Sequence, residues 1–301
     1  MEIEFKLRLP PTAVAALLAD PLLASANSTR KRLDNIYFDT PAFDLAQAKT
    51  SLRLRKDGRR WLQTVKSGGS ATAGLHQRQE LEFAVARQAL DWAPLAGTPF
   101  AKQLAPFQST VAAQFRTRFD RQLWLLRGPT GAEIELAIDQ GHILAGKQQQ
   151  ALCEVELELK SGPVGDLFAT ALALSARHPL VLDNRSKAQR GNALARQLPP
   201  APPVKATDLR LPKDAGAQTI AHAAVANCLT QWQANQDGYL AQAIDFETTE
   251  HDTEYLHQLR VGVRRLRVAC EPLARGAGWQ TDTLATLKKP LRQLGQQLGA
   301  A

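Results

Sequence analysis

Glu2-Ile3-Glu4-Phe5-Lys6-Leu7-Arg8-Leu9 opens the chain with strict alternation of charged and apolar side chains. Side chains of a β-strand alternate faces with a period of two. One face therefore reads Glu2, Glu4, Lys6 and Arg8; the other reads Ile3, Phe5, Leu7 and Leu9. The same division recurs downstream. Arg53 and Arg55 oppose Leu52 and Leu54, Thr64 and Lys66 share a face, and Arg78, Glu80 and Glu82 oppose Leu81 and Phe83. Arg116 and Arg118 oppose Phe115 and Phe119; Glu133, Glu135 and Asp139 oppose Ile134, Leu136 and Ile138. Finally Glu154, Glu156, Glu158 and Lys160 oppose Val155, Leu157 and Leu159. The pattern predicts eight strands, at 2–9, 33–38, 51–56, 60–66, 77–83, 114–126, 132–138 and 152–160.

Apolar-in, polar-out alternation is what any half-buried antiparallel sheet shows. Here the polar faces are almost wholly charged, and several carry one sign only. Carboxylates repeated along one face repel one another, which a sheet tolerates when cations are to be bound there. The arginine faces in turn call for anions. Eight such strands can close into a barrel holding one small ligand, with a charged interior and helices over the apolar exterior. Carboxylates suit a hard divalent cation shared with phosphate oxygens, and guanidinium forks suit the phosphates themselves.

Outward from the strands, short helices are expected at 12–19, with Thr12 as its cap, at 164–176 after the break Gly162-Pro163, and at 186–196. The stretch 199–214, PPAPPVKATDLRLPKD, is rich in proline and reads as a linker between domains at 1–198 and 215–301. The sequence after it is Ala-, Gln- and Leu-rich with helical spacing, so an all-α domain is expected. The fold class is α+β: a closed antiparallel barrel with flanking helices, then helices alone.

The ordered set of motifs resembles the CYTH domain, or triphosphate tunnel metalloenzyme, family. It comprises the ExExK pattern Glu2–Lys6, Tyr37-Phe38-Asp39-Thr40, Leu52–Arg55, Thr64-Val65-Lys66, Arg78–Glu82, Glu133-Ile134-Glu135, Asp139-Gln140-Gly141, Glu154–Glu158 and Ser186-Lys187. The stretches Leu75–Arg78 and Cys153–Gly162 are similar to the bacterial inorganic triphosphatase branch in particular. The C-terminal part resembles a CHAD domain through His222, His257, Arg260, Arg264 and Arg267. The last four fall on one helical face, roughly opposite Leu256, Leu259, Val263, Leu266 and Cys270. That resemblance implies polyphosphate binding and further helices beyond residue 301, so a truncated domain is expected.

The CYTH resemblance implies metal-dependent hydrolysis of inorganic triphosphate, with Mg²⁺ or Mn²⁺ in a two-metal site. On that reading Glu2 and Glu4, with Glu154, Glu156 and Glu158, hold metal, and Glu156 or Glu158 serves the attacking water. Glu80, Glu82, Glu133, Glu135 and Asp139 support them. Lys6, Arg8, Arg53, Arg55, Lys66, Arg78, Arg116, Arg118 and Lys187 meet phosphate oxygens, and Arg53 and Lys66 also stabilise the transition state. Same-fold alternatives cleave nucleoside or thiamine triphosphates or cyclise ATP. The alternative of another class is a non-catalytic polyphosphate-binding module.

The 301 residues are 44% hydrophobic and carry a formal charge of +8, which favours an anionic partner. Nucleic acid fits poorly, because acidic side chains share the basic faces and no aromatic stacking platform lies among the arginines. Cys153, Cys228 and Cys270 form neither a disulfide framework nor a metal spacing. His76, His142, His178, His222, His251 and His257 form no HExxH or triad spacing. Ser67-Gly68-Gly69-Ser70 lacks the P-loop GK[ST] and reads as a hairpin or mobile loop. The opening residues lack a leader's apolar run, and no apolar stretch is long enough to span a membrane, so a cytoplasmic protein is expected.

Overall fold

The computed structural model describes residues 2–72, 75–244, 253–276 and 281–300, and His251 lies outside them. The chain divides into two compact units, Met1–Leu198 and Pro199–Ala301.

The first unit holds strands β1 (Glu2–Arg8), β2 (Ser28–Asp39), β3 (Thr50–Asp57), β4 (Arg60–Thr72), β5 (Leu75–Val85), β6 (Ala112–Arg127), β7 (Glu133–Ala145), β8 (Gln148–Ser161) and the short β9 (Val181–Leu182). The order β5-β4-β3-β2-β6-β7-β8-β1, with β1 also pairing β5, closes an eight-stranded barrel in which neighbouring strands run antiparallel. β9 extends the edge of β1 beyond the closure. Gly58 at φ +61° and Gly146 at φ +56° supply the left-handed backbone of the tight β3–β4 and β7–β8 turns.

The apolar faces point outward and are covered by helices α1 (Val14–Leu18), α2 (Pro21–Ala24), α3 (Asp44–Gln47), α4 (Pro99–Leu104) and α5 (Val164–Ser175). Phe5, Leu7, Trp124, Leu136 and Leu157 pack with Leu17, Leu23, Leu167 and Leu174 in the largest core. Leu52 and Val65 pack with Leu45, Leu95, Phe100 and Leu104 on another side. Burying the apolar exterior under helices leaves the polar faces turned inward.

Helix α6 (Lys187–Ala195) closes one end of the barrel. Ser186 caps it, and the Gln189 side chain accepts the Ser186 N–H in return, a capping box. Ala188, Leu194 and Ala195 pack against Tyr37, Phe115, Ile143 and Ala145.

Three local expectations are corrected. Strands run longer than their alternating cores, β2 beginning at Ser28 and β8 at Gln148, because ladder pairing continues past the patterned residues. Ser67–Ser70 is part of β4, which absorbs the two glycines as a register shift against β5. A Cβ on Gly69 would lie 1.9 Å from the Gln77 carbonyl oxygen, so close backbone approach explains the glycine there. Thr12 lies inside a 3₁₀ turn, Pro11–Ala13, and caps nothing, since Pro11 starts that turn and Ala13 precedes α1.

The second unit contains α7 (Ala217–Ile244), α8 (Thr253–Gly276) and α9 (Thr281–Ala300). Residues 199–214 form neither helix nor strand; Asn235 bonds both N–H and C=O of Val204, and the Tyr255 hydroxyl donates to the Ala201 carbonyl. Leu259, Val263 and Cys270 are buried on α8, whereas His257, Arg264 and Arg267 are exposed. No described helix is long and apolar enough to cross a membrane.

Candidate active site

The barrel encloses a cavity of about 290 Å³. Seven carboxylates line it, Glu2, Glu4, Glu80, Glu82, Glu135, Glu156 and Glu158, with eight cations, Lys6, Arg53, Arg55, Lys66, Arg78, Arg121, Lys160 and Lys187. Such a set without a ligand is stable only if the charges neutralise one another, and they do. Lys66 reaches Glu2 at 2.7 Å and Glu80 at 3.2 Å; Arg78 reaches Glu4 at 3.2 Å; Lys6 lies 3.0 Å from Glu4 and also bonds Glu156.

Glu156 is a hub. One carboxylate oxygen takes Lys6 and Lys187 and the other takes Arg121, whose guanidinium also chelates Asp139 through two 2.7 Å bonds. Burial raises the cost of its charge, but Lys187, Lys6 and Arg121 hold its pKa well below the carboxylate range. Glu4 is likewise buried, yet the Lys6 ammonium, opposed by Glu156 and helped by Lys66 and Arg78, brings it down to about 2. Burial pushes Glu2 and Glu154 the other way, against Lys66 and Lys187 respectively.

Asp139, Glu154 and Glu156 each present an oxygen within 4.8 Å of the others, a spacing that suits a metal ion. The ammonium of Lys187 already sits among them, 2.6 Å from Asp139 and 3.1 Å from Glu156 and bonded to Glu154 as well. Arg190 adds a 3.2 Å contact to Glu154. This cluster therefore anchors α6, which carries both Lys187 and Arg190.

A different carboxylate row faces the cavity. Strand register places Glu158 directly opposite Glu4 on one side and Glu135 on the other. Like charges directly opposite one another destabilise a sheet. Among the described residues, only the exposed Lys160, 2.9 Å away, bonds Glu158, and Glu135 has no cation within 4.0 Å. Hard oxygen donors with incomplete compensation fit a divalent cation of the Mg²⁺ or Mn²⁺ kind.

The structure does not bring all the sequence-derived residues together. Arg118 is exposed and pairs with Asp34 at 3.2 Å, and Arg116 shares its outward face. Phe119 and Arg121 line the cavity instead, so the phase of β6 is the reverse of the expected one. Arg8 pairs with Asp183, Glu133 accepts from Ser161 at the strand end, and Glu154, held by Lys187 and Arg190, does not line the cavity. The uncharged Tyr37 and Thr64, both part of the sequence motifs, also line the cavity. Thr64 accepts from Arg53 at 3.2 Å and donates to Glu82 at 2.8 Å, and Tyr37 hydrogen-bonds Arg53.

In the second unit a cleft of about 700 Å³ runs between α8 and α9. Arg264, Arg267, Lys288, Lys289 and Arg292 line it around Val268, Leu287 and Leu291, with no carboxylate among the described lining residues. His222 and His257 are not among its lining residues, and Arg260 donates to the Leu298 carbonyl.

A model of the CYTH domain matches residues 1–191, and a model of the CHAD domain matches residues 223–301. The inorganic triphosphatase of Haemophilus influenzae is 37% identical over 163 residues, which are 54% of this chain and 46% of that protein. The match thus spans about half the length of that relative. Among solved structures, a Hippeastrum protein assigned as an adenylyl cyclase, with a dominant triphosphatase activity, is 21% identical with a TM-score of 0.46. That alignment covers 64% of this chain and 96% of the Hippeastrum one. The mimivirus capping-enzyme triphosphatase is 10% identical with a TM-score of 0.34, over 58% of this chain and 89% of that one.

Proposed function

Because this chain belongs to the CYTH domain family, we propose that its charged barrel hydrolyses inorganic triphosphate to pyrophosphate and phosphate. The observation that carries the reading is the balance of charges in the cavity, seven carboxylates against eight cations. A ligand with about four negative charges leaves that balance strongly negative unless divalent cations enter with it. A module that only reads polyanions has no use for so many carboxylates.

Glu2, Glu4, Glu135 and Glu158 would hold the divalent cation, which supplies charge neutralisation of the phosphates and an acidified water. Arg53, Arg55, Lys66 and Arg78 face the same space and present donors to phosphoryl oxygens. Phosphoryl transfer depends mainly on positioning and on charge stabilisation, and this wall offers both. Glu156 holds Lys6, Lys187 and Arg121 in place, so its role is to orient the donors.

For the helical unit, the CHAD match and the basic cleft between α8 and α9 support polyphosphate as a partner.

The test is phosphate release from inorganic triphosphate, ATP, thiamine triphosphate and long polyphosphate, with Mg²⁺, Mn²⁺ or EDTA. Metal-dependent release that is fastest from inorganic triphosphate supports the proposal. Faster release from ATP or thiamine triphosphate moves the assignment to an organic substrate. No release from any of them, with tight polyphosphate binding, makes the protein a binding module.

A further inference from the structure

The cations of the barrel are not equally neutralised. Lys6 and Lys66 each touch two carboxylates and Lys187 touches three. Arg55 differs. Glu82, its one carboxylate within ion-pairing reach among the described residues, is 4.0 Å from Nη1. Its Nε donates instead to the amide oxygen of Asn35 at 3.1 Å.

Asn35 is fully buried, and its Nδ2 donates to the hydroxyl of the equally buried Thr117 at 2.9 Å. The register explains the line of contacts, since Asn35 lies directly opposite both Arg55 on β3 and Thr117 on β6. The orientation of the amide follows from the chemistry: a guanidinium only donates, so the oxygen must face Arg55 and the NH₂ must face Thr117. A neutral acceptor at this point fixes the guanidinium without cancelling its charge. A carboxylate in the same place would fix it and cancel it.

We propose that Asn35 is a positioning residue: held by Thr117, it aims the under-neutralised guanidinium of Arg55 into the barrel as the anchor for a terminal oxyanion of the triphosphate. The proposal rests on the triphosphatase reading for the identity of the anion. The surroundings agree with it. Burial, Arg53 and Arg121 together pull the Arg55 pKa down to about 10, the mark of a locally positive field that an anion relieves.

The test is a double-mutant cycle on KM and kcat for inorganic triphosphate with Mg²⁺, using Asn35→Ala, Arg55→Ala and the pair. Asn35→Ala is expected to raise KM roughly tenfold, the scale of one charge-assisted hydrogen bond. In the Arg55→Ala background the same change is expected to have little further effect, because Asn35 acts through Arg55. Asn35→Asp is expected to raise KM more than Asn35→Ala, which a purely structural role would not produce. Independent, multiplying effects of the two alanine changes, or wild-type kinetics in Asn35→Ala, overturn the proposal. If Asn35→Ala does not fold, Thr117→Val takes its place in the cycle, with a smaller rise in KM that vanishes beside Arg55→Ala. If the wild type releases no phosphate from triphosphate, the functional reading falls, and the cycle is read as the Kd for triphosphate by calorimetry. A Kd unmoved by Asn35→Ala or Thr117→Val then overturns the positioning role separately.

Discussion

Lys66 Nζ lies 2.7 and 2.8 Å from the two carboxylate oxygens of Glu2, although strand β5 separates their two strands. The contact crosses the inside of the barrel, over a strand that belongs to neither residue. Charges of the interior therefore tie non-adjacent strands together, and on the proposed function a triphosphate with its cation would replace such pairs on entering.

Glu4 sits where those pairs meet the carboxylate row, 3% exposed and bonded by Lys6 and Arg78. Glu4→Gln keeps the shape and removes the charge. Turnover of triphosphate should fall by at least about a hundredfold, the usual scale for a preorganised electrostatic group. Circular dichroism should remain that of the wild type. Near-normal phosphate release would remove Glu4 from the cation site.

His76 gives the pH dependence of stability. It is 2% exposed, and its Nε2 donates to the Asp183 carbonyl, 3.0 Å away. Burial first, then Lys6, lowers its pKa from 6.5 to about 4. The unfolded chain thus takes up a proton below pH 6.5 that the folded chain resists until about pH 4. The stabilisation is complete above pH 6.5 and is lost as pH falls through that window, by on the order of 3 kcal/mol. Melting temperatures at pH 7 and pH 5 should drop less in His76→Gln than in the wild type. Equal drops would show that other groups govern the acid limb.

Arg121 and Arg118 separate the two phases of β6. Arg121 chelates Asp139 and bonds Glu156 inside the barrel, while Arg118 is exposed and pairs with Asp34. Arg121→Ala takes one buried partner from Asp139 and Glu156, which keep only lysine ammoniums, and breaking such a buried pair costs roughly 3–5 kcal/mol. Arg118→Ala should stay within about 1 kcal/mol, as exposed ion pairs do. Urea denaturation of the two variants distinguishes the phases, and a larger loss in Arg118→Ala would restore the reverse assignment.

That reversal shows where sequence reading stops. Along 2–9, 52–55, 78–83, 133–139 and 154–160 the charged positions share one parity and the large apolar positions the other, so the tunnel face is legible from spacing. On β6 both parities carry large apolar groups: Phe115 and Phe119 are odd, Trp124 and Leu126 even. The structure resolves the conflict with two apolar environments. Trp124 and Leu126 join the outer core, and Phe115 packs inside against α6. The outer-core pair would have placed Arg116 and Arg118 outside with them. Alternation hides Asn35 the same way, because β2 places Leu33, Ile36, Tyr37 and Phe38 on both parities, and Tyr37 is legible only through its motif with Phe38, Asp39 and Thr40. Alternation cannot announce a barrel that is polar at its centre and apolar where a helix plugs it.

Gly191 tests the plug. A Cβ there would fall 2.0 Å from the Phe115 ring, and that ring is stacked on Tyr37 at 4.5 Å and cannot swing aside freely. Gly→Ala inside a helix ordinarily gains up to about 1 kcal/mol. Here the clash should decide the sign, with a net loss of about 1–3 kcal/mol from overpacking. Because α6 also carries Lys187, triphosphate turnover should fall with stability. A Gly191→Ala protein more stable than the wild type would mean that α6 has room to shift.

The cleft of the second unit calls for a different measurement, because its chemistry is all of one sign. Arg264 and Arg267 on α8 face Lys288, Lys289 and Arg292 on α9, around an apolar floor. A chain of phosphates bound there releases the counterions condensed on it, so affinity should fall linearly in a plot of log Kd against log salt. Each lysine or arginine that meets a phosphate contributes slightly less than one unit of slope. Arg267→Ala with Lys289→Ala should therefore flatten the slope by about one to two units and weaken binding in low salt. His222→Ala should leave the slope unchanged, since that exposed residue on α7 does not line the cleft. Binding that ignores salt would point to apolar contacts with Val268, Leu287 and Leu291 and away from a polyanion.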